Sequence, residues 1–337
     1  MTRNTTAITN NRRLAFGPKD ELMNMSRTRY PWAVEIYDRM EANTWFPKSV
    51  PLNDDRVDYR TKLTDKERSA FDKALAFVSN LDGIQFNNLI HNIGQHITAP
   101  EVSLAIARQA SEEGVHVRSY QFIVEAVSVD PESIYTMFER DGMLAKKNEF
   151  IMRGPRVLRD EATPANFARA VIANVALEGI YFYSAFLLFY IIGRSGRMLG
   201  TADMIKYINR DEGETHLDLF TSMHHAYKAE SPELYDAQFT EDAVTILREA
   251  TLLEIEWAIY NIDGGFPGAT AQVFTDFLRG LANARARKLD LPDPFPGALD
   301  YDKVVPWFDS FSKPNTTRTN SFEGKNTDYA VDGLAWE

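Results

Sequence analysis

The sequence predicts an all-α protein, a bundle of long helices closed around buried acidic and histidine side chains. Three observations predict it. Apolar residues recur three and four apart through most of the chain, and the strict alternation of a half-buried strand is rare. Nothing in the middle of the chain reads as a linker, and no internal repeat is visible. Four carboxylates, Asp82, Glu113, Glu178 and Glu212, stand inside apolar helical stripes, and two of them precede a histidine by about one turn.

Taken in order, residues 1–28 are polar and read as a flexible N-terminal segment. Residues 29–312 read as one helical domain. Its first helix covers 31–46 and is ended by Pro47 and Pro51. Thr64 and Glu67 form a capping box at the head of a long helix whose stripe runs Phe71, Leu75, Val78, Asp82, Phe86, Leu89. The run Thr98-Ala99-Pro100-Glu101 opens the next helix, with proline in its usual place near the start. Its stripe is Val102, Ile106, Gln109, Glu113, His116, Tyr120, Ile123 and Val127, and Asp130-Pro131 closes it. A less regular helical region follows to about residue 160. Residues 166–192 form the most apolar helix, with Phe167, Val171, Glu178, Phe182, Phe186 and Phe189 on one side. Residues 200–228 form another, carrying Met204, Ile208, Glu212, His216 and Leu219, and further helices fill 240–288. Residues 313–337 are polar with scattered apolar side chains and read as a flexible tail.

Composition narrows the function. The chain has 337 residues, of which 44% are hydrophobic and 25% charged, as in an ordinary globular protein. A net charge of −11 disfavours nucleic acid or an anionic membrane as a partner, because both select a basic face. Without cysteine, disulfides, thiolate metal sites and thiol redox chemistry are excluded, so a metal must be held by oxygen and imidazole nitrogen. The N-terminus has no apolar run of a secretory signal. The apolar stretch 175–193 carries Glu178 near its start, and its uncharged part suits a buried core helix better than a membrane span. A cytoplasmic location is expected.

An uncompensated carboxylate in a core costs several kcal/mol, so four of them require a shared counter-charge. Glu113 and His116, three apart on a helix, point the same way and can grip one ion together. One carboxylate can bridge two ions, so four acids and two histidines suffice for a pair. The order along the chain is acid, acid-His, acid, acid-His on four helices. This is the arrangement of ferritin-like di-metal carboxylate bundles, and hard oxygen ligands with imidazole suit iron or manganese. The second pair, Glu212-x-x-x-His216, has one residue more than the first. Gly213 marks the place where a π-bulge would absorb it, and Glu214 is a competing ligand.

These residues resemble the radical-generating small subunit of class I ribonucleotide reductase. The similarity lies in N-T-W-F-P (43–47), S-N-L-D-G-I-Q (79–85), E-E-G-V-H-V-R-S-Y (112–120), A-L-E-G-I-Y-F-Y (176–183) and R-D-E (210–212). The resemblance implies a ferritin-like bundle whose Asp82, Glu113, His116, Glu178, Glu212 and His216 bind two metal ions: Fe/Fe first, with Mn/Mn or Mn/Fe as alternatives. It implies dioxygen as oxidant, with a flavoprotein activator in some types, and a stable radical on Tyr120 in an apolar pocket of Phe182, Phe186 and Ile208. Asp at the first ligand position together with this tyrosine resembles the tyrosyl-radical types. Trp45 and Asp211 match the family's long-range relay, with His116 linking Asp211 to the metal. The tail segment N-S-F-E-G-K-N-T-D-Y resembles the part that docks on the large subunit, with Tyr329 as the relay tyrosine.

The expectation is therefore a homodimeric small subunit of ribonucleoside-diphosphate reductase. Its oxidising equivalent reaches a cysteine of the large subunit, where deoxyribonucleotides are made. The competing readings are a self-contained di-metal oxidase or oxygenase of the same fold and an iron-storage bundle. The first needs neither Trp45 nor a tail tyrosine, and the second has no reason to bury Tyr120.

Overall fold

In the computed structural model, which describes residues 11–19 and 22–314, eleven helices of nine residues or more follow one another. Helix α1 is Pro31–Ala42, α2 Asn53–Thr61, α3 Asp65–Asn88, α4 Pro100–Val127, α5 Gly142–Asp160 and α6 Pro164–Ala176. Helix α7 is Tyr183–Arg194, α8 Leu199–Arg210, α9 Leu217–Glu230, α10 Ala237–Ile262 and α11 Ala271–Lys288. Among the described residues there is no strand, only the isolated bridges Ala15–Ile97 and Phe266–Ala269.

Local chemistry starts these helices where the sequence predicts. Thr64 accepts from the backbone N–H of Glu67 while the Glu67 carboxylate accepts from that of Thr64, completing the capping box of α3. Pro100 and Pro164 stand at the first position of α4 and α6, where a missing N–H costs nothing. Asp141, Thr163, Asp236 and Thr270 cap α5, α6, α10 and α11 by accepting from backbone N–H groups.

Three helices run on through a single π-helical stretch: Leu89–Ile93 after α3, Leu177–Tyr181 between α6 and α7, and Asp211–His216 between α8 and α9. The four runs that carry the candidate ligands pack on one another. Helix α3 lies on α4 and α7, α8 touches α4, α9 lies on α6, and the second and third π-helical stretches meet. The run Pro164–Arg194 is long and apolar enough to cross a membrane by length and composition alone. Its most apolar window is wholly buried inside the bundle.

Two expectations are corrected. The described part of the N-terminal segment packs onto the bundle instead of trailing from it. Leu14 and Ala15 are fully buried, Ala15 bridges to Ile97, and the buried Arg12 donates to the carbonyls of Asn24 and Arg27. The three apolar residues Leu14-Ala15-Phe16 after two arginines are too few to show a period, yet enough to fill a gap. The first helix ends at Ala42, not at 46, because Asn43 already leaves helical geometry. Trp45 is thereby freed to turn inward. The tail from residue 315, including Tyr329, lies outside the described residues.

Candidate metal centre

All six candidate ligands are fully buried. Asp82 comes from α3, Glu113 and His116 from α4, Glu178 from the second π-helical stretch, and Glu212 and His216 from the third. Glu113, Glu178, Glu212 and His216 form one group whose ligand atoms lie within 4.8 Å of one another, and Asp82, Glu113 and His116 form a second. The two imidazoles are 5.6 Å apart between ring centres.

The carboxylates divide into two kinds. Glu212 spans both rings, with Oε1 3.0 Å from Nδ1 of His116 and Oε2 3.1 Å from Nδ1 of His216. Glu113 does the same at 3.4 Å on each side. Asp82 lies only toward His116, at 3.9 Å, and Glu178 only toward His216, at 3.8 Å. Two carboxylates thus face both imidazoles and two face one each.

The extra residue before His216 is accounted for. Asp211–His216 is π-helical, so the wider turn keeps Glu212 and His216 on one face despite their spacing of four. A side chain at Gly213 would put its Cβ 3.0 Å from the Tyr183 hydroxyl, closer than ordinary contact. Glu214 is exposed and takes no part.

The donor set fits two cations. Asp82 Oδ1 and Oδ2, Glu113 Oε2, His116 Nδ1, Glu178 Oε2 and Glu212 Oε1 are buried without a well-formed hydrogen bond. Burial, then the charge of Glu113, pushes the Asp82 carboxyl well above its usual range, and burial with the charge of Glu212 does the same to Glu178. Burial opposes charge on His116 and His216, yet the surrounding carboxylates hold both well above the ordinary imidazole value. The cluster therefore retains protons to balance itself, which is the work a pair of hard cations would do.

Each imidazole presents Nδ1 inward and Nε2 outward. His116 Nε2 faces Asp211 Oδ2 at 3.3 Å, and His216 Nε2 faces Glu112 Oε2 at 3.0 Å. Such outer carboxylates fix ring orientation and tautomer. Each is itself paired with an arginine: Asp211 with Arg210 at 2.9 Å and Glu112 with Arg108 at 3.2 Å. Asp211 Oδ2 also accepts from Trp45 Nε1 at 2.7 Å, so Trp45, Asp211 and His116 form a continuous hydrogen-bonded chain. The Trp45 ring stacks on Tyr207, 5.0 Å away.

Tyr120 is fully buried on α4, and its hydroxyl has no hydrogen-bond partner. Burial first, then the charges of Asp82, Glu212 and Glu113, drives its phenol well above the ordinary value, so it keeps its proton. Phe182, Phe186 and Ile208 are also fully buried, and the two phenylalanine rings stack at 5.6 Å.

Sequence reading missed Glu112, Gln85, Asn174 and the role of Gln109. Glu112 is one residue off the α4 stripe, and only the doubled acid in S-E-E-G hinted at it. Gln85 and Gln109, by contrast, stand on ligand-bearing helices one turn from Asp82 and Glu113. Buried amides at those positions were a signal for ligand orientation.

The model of the family described as ribonucleotide reductase, small chain, matches residues 22–303. Among curated proteins, the chain is 35% identical over 321 residues to the ribonucleoside-diphosphate reductase subunit beta of Treponema pallidum (strain Nichols). That match covers 95% of this chain and 91% of the relative. The corresponding subunit of Halalkalibacterium halodurans is 29% identical, with 97% and 94% covered. Among solved structures, the ribonucleotide reductase R2 subunit from Clostridium botulinum superposes with a TM-score of 0.86 at 34% identity, covering 90% of this chain and 95% of that one. The dimanganese(II)-NrdF of Streptococcus sanguinis shares the fold, with a TM-score of 0.75 at 22% identity and coverage of 86% and 98%. These similarities favour the reductase reading over a self-contained oxidase.

Proposed function

The chain belongs to the ribonucleotide reductase small-chain family, as a ribonucleoside-diphosphate reductase beta subunit, and on that premise we propose how its residues work. Asp82, Glu113, His116, Glu178, Glu212 and His216 would hold two ions: Fe/Fe first, with Mn/Mn or Mn/Fe as alternatives. When bound, these ions would supply, from dioxygen, the oxidising power that takes an electron and the phenolic proton from Tyr120, the proton going to the oxygen that is reduced. The observation that carries this reading is the placement of two carboxylates facing both imidazoles and two facing one each, with a buried tyrosine one turn beyond His116.

Tyr120 keeps its phenolic proton until oxidised. Its hydroxyl is fully buried and meets no polar protein group, so the surrounding protein shields the resulting radical from quenching. Trp45 carries the oxidising equivalent outward, because its indole N–H is tied through Asp211 to His116. Arg210 balances the charge of Asp211, so the carboxylate stays ionised and continues to accept from both sides. The tail then delivers the equivalent through Tyr329 to a cysteine of the large subunit, where the ribonucleotide is reduced. The protein works in the cytoplasm as a homodimer in complex with that subunit.

The test combines spectroscopy with turnover. Purified chain given Fe(II) and oxygen, or Mn(II) with a flavoprotein activator, should show an organic radical by electron paramagnetic resonance. Mixed with the large subunit, it should convert ribonucleoside diphosphates to deoxy products. A metal-loaded chain that shows no radical and supports no turnover would overturn the proposal.

A further inference from the structure

Glu178 is gripped from outside the metal centre by an ordered set of buried amides. Its Oε1 accepts from three of them: Gln109 Nε2 at 2.6 Å, Asn174 Nδ2 at 3.3 Å, and Gln85 Nε2. Its Oε2 has no hydrogen-bond partner and lies toward His216. Gln85 and Gln109 are fully buried and Asn174 nearly so, so water does not compete for these bonds.

The orientation of each amide follows from its neighbours and begins at a group that cannot turn over. The Pro155 carbonyl in α5 only accepts, so it selects the NH2 end of Asn92, 3.0 Å away. The second N–H of Asn92 goes to Asn88 Oδ1 at 2.9 Å, which fixes Asn88 as acceptor on that side. The Asn88 NH2 must then face inward. It donates to Asn174 Oδ1 at 2.9 Å and Gln85 Oε1 at 3.2 Å. With their oxygens so occupied, Asn174 and Gln85 can only offer N–H to Glu178. Gln109 is fixed independently, because its NH2 lies between two carboxylates, Glu178 and, at 3.4 Å, Glu113. Its own Oε1 is left buried without a partner, a cost that the orientation sustains.

A carboxylate oxygen has about two lone-pair sites. Three donors on Oε1 saturate it. We propose that Gln85, Gln109 and Asn174, with Asn88 and Asn92 setting their polarity, are positioning residues that make Glu178 a one-oxygen ligand, presenting Oε2 alone to the ion on the His216 side. Asp82, the terminal acid on the His116 side, has neither oxygen in a hydrogen bond and carries no such constraint. The two halves of the centre therefore differ in how freely their terminal carboxylate can rearrange, although their imidazoles are alike.

This inference rests on the di-metal reading, and Mn(II) alone tests the two separately. Crystals of the wild type soaked in Mn(II) should show Glu178 bound through one oxygen. Asn88→Asp removes the donor that orients both Asn174 and Gln85, so their oxygens turn toward Glu178 and displace it. Gln109→Leu removes a donor directly and stands in if the first variant does not fold. Each variant should bind the ion on the His216 side about 10–100-fold more weakly, as is typical when a partner of a ligand is lost. Glu178 should bind through both oxygens or swing away, while the Asp82 side keeps its affinity. Two-oxygen binding by Glu178 in the wild type, or unchanged affinity and coordination in the variants that fold, would overturn the amide network. Failure of the wild type to bind Mn(II) would instead overturn the di-metal reading.

Discussion

At the scale of single residues, the geometry separates side chains that the sequence treats alike. Glu113 spans both imidazoles, whereas Glu178 approaches only His216. Glu113→Ala should therefore lower the content of both ions, and Glu178→Ala only that of one, as measured by metal analysis after gel filtration. Full metal content in both variants would remove them from the ligand set. Tyr120 makes a different prediction, since its hydroxyl bonds to nothing. Tyr120→Phe should keep its metals and melt within a few degrees of the wild type, because losing an unsatisfied buried group is nearly neutral, yet show no organic radical. Retention of the wild-type radical spectrum by this variant would move the radical elsewhere. The buried acids brought together here were legible as candidates because a carboxylate in an apolar stripe is conspicuous. Glu112 was not, because it neighbours a stronger candidate and its partner, His216, is 104 residues away.

At the scale of elements, the capping box of α3 and the proline starts of α4 and α6 were readable because they depend on neighbours in sequence. The π-helical stretch at Asp211–His216 was readable for a particular reason: two candidate ligands on one helix betray a register change by their spacing. The stretches Leu177–Tyr181 and Leu89–Ile93 shift register just as much, but Glu178 has no second ligand on its helix and Leu89–Ile93 has none at all. Their sequence spacing is therefore silent. Element packing also makes a prediction about acid. His224 on α9 faces the carbonyl of Leu289, just past the end of α11, with Nε2 3.1 Å from the oxygen, so the neutral ring ties the two helices. Burial first, then the charge of His225, pulls its folded-state value down to about 4 from an ordinary 6.5. The unfolded chain therefore binds a proton that the folded chain resists. This contribution is intact above pH 6.5 and is lost as the pH falls toward 4, on the order of 3 kcal/mol in all. His224→Gln keeps a donor for Leu289 without titrating. Denaturant unfolding at pH 7 and pH 4.5 should show a smaller acid loss for the variant, and equal losses would remove His224 as the cause.

At the scale of the whole molecule, the centre is closed off by elements that contribute no ligand. The buried pair Lys147–Glu254, 2.5 Å apart, joins α5 to α10, with the Lys147 ammonium 3.3 Å from the centre of the Phe77 ring. No helical period announces such a pair, because its partners are 107 residues apart and the adjacent Lys146 and Lys147 in α5 look like a solvated face. All the groups placed around the metal centre, from Trp45 to His216, lie within one stretch of chain and are fixed by one another. The residues beyond 314 carry Phe322, Tyr329, Leu334 and Trp336 spaced among polar residues, a pattern too sparse for a core of its own but suited to folding onto a partner. Deleting residues 321–337 should therefore leave metal content and the Tyr120 radical unchanged while abolishing nucleotide reduction with the large subunit. Tyr329→Phe then separates docking from relay, because it removes the oxidisable hydroxyl and keeps most of the contact surface. That variant should bind the large subunit with nearly wild-type affinity, hold a normal radical, and yet turn over no substrate. Turnover at the wild-type rate would exclude Tyr329 from the relay and leave the tail with docking alone.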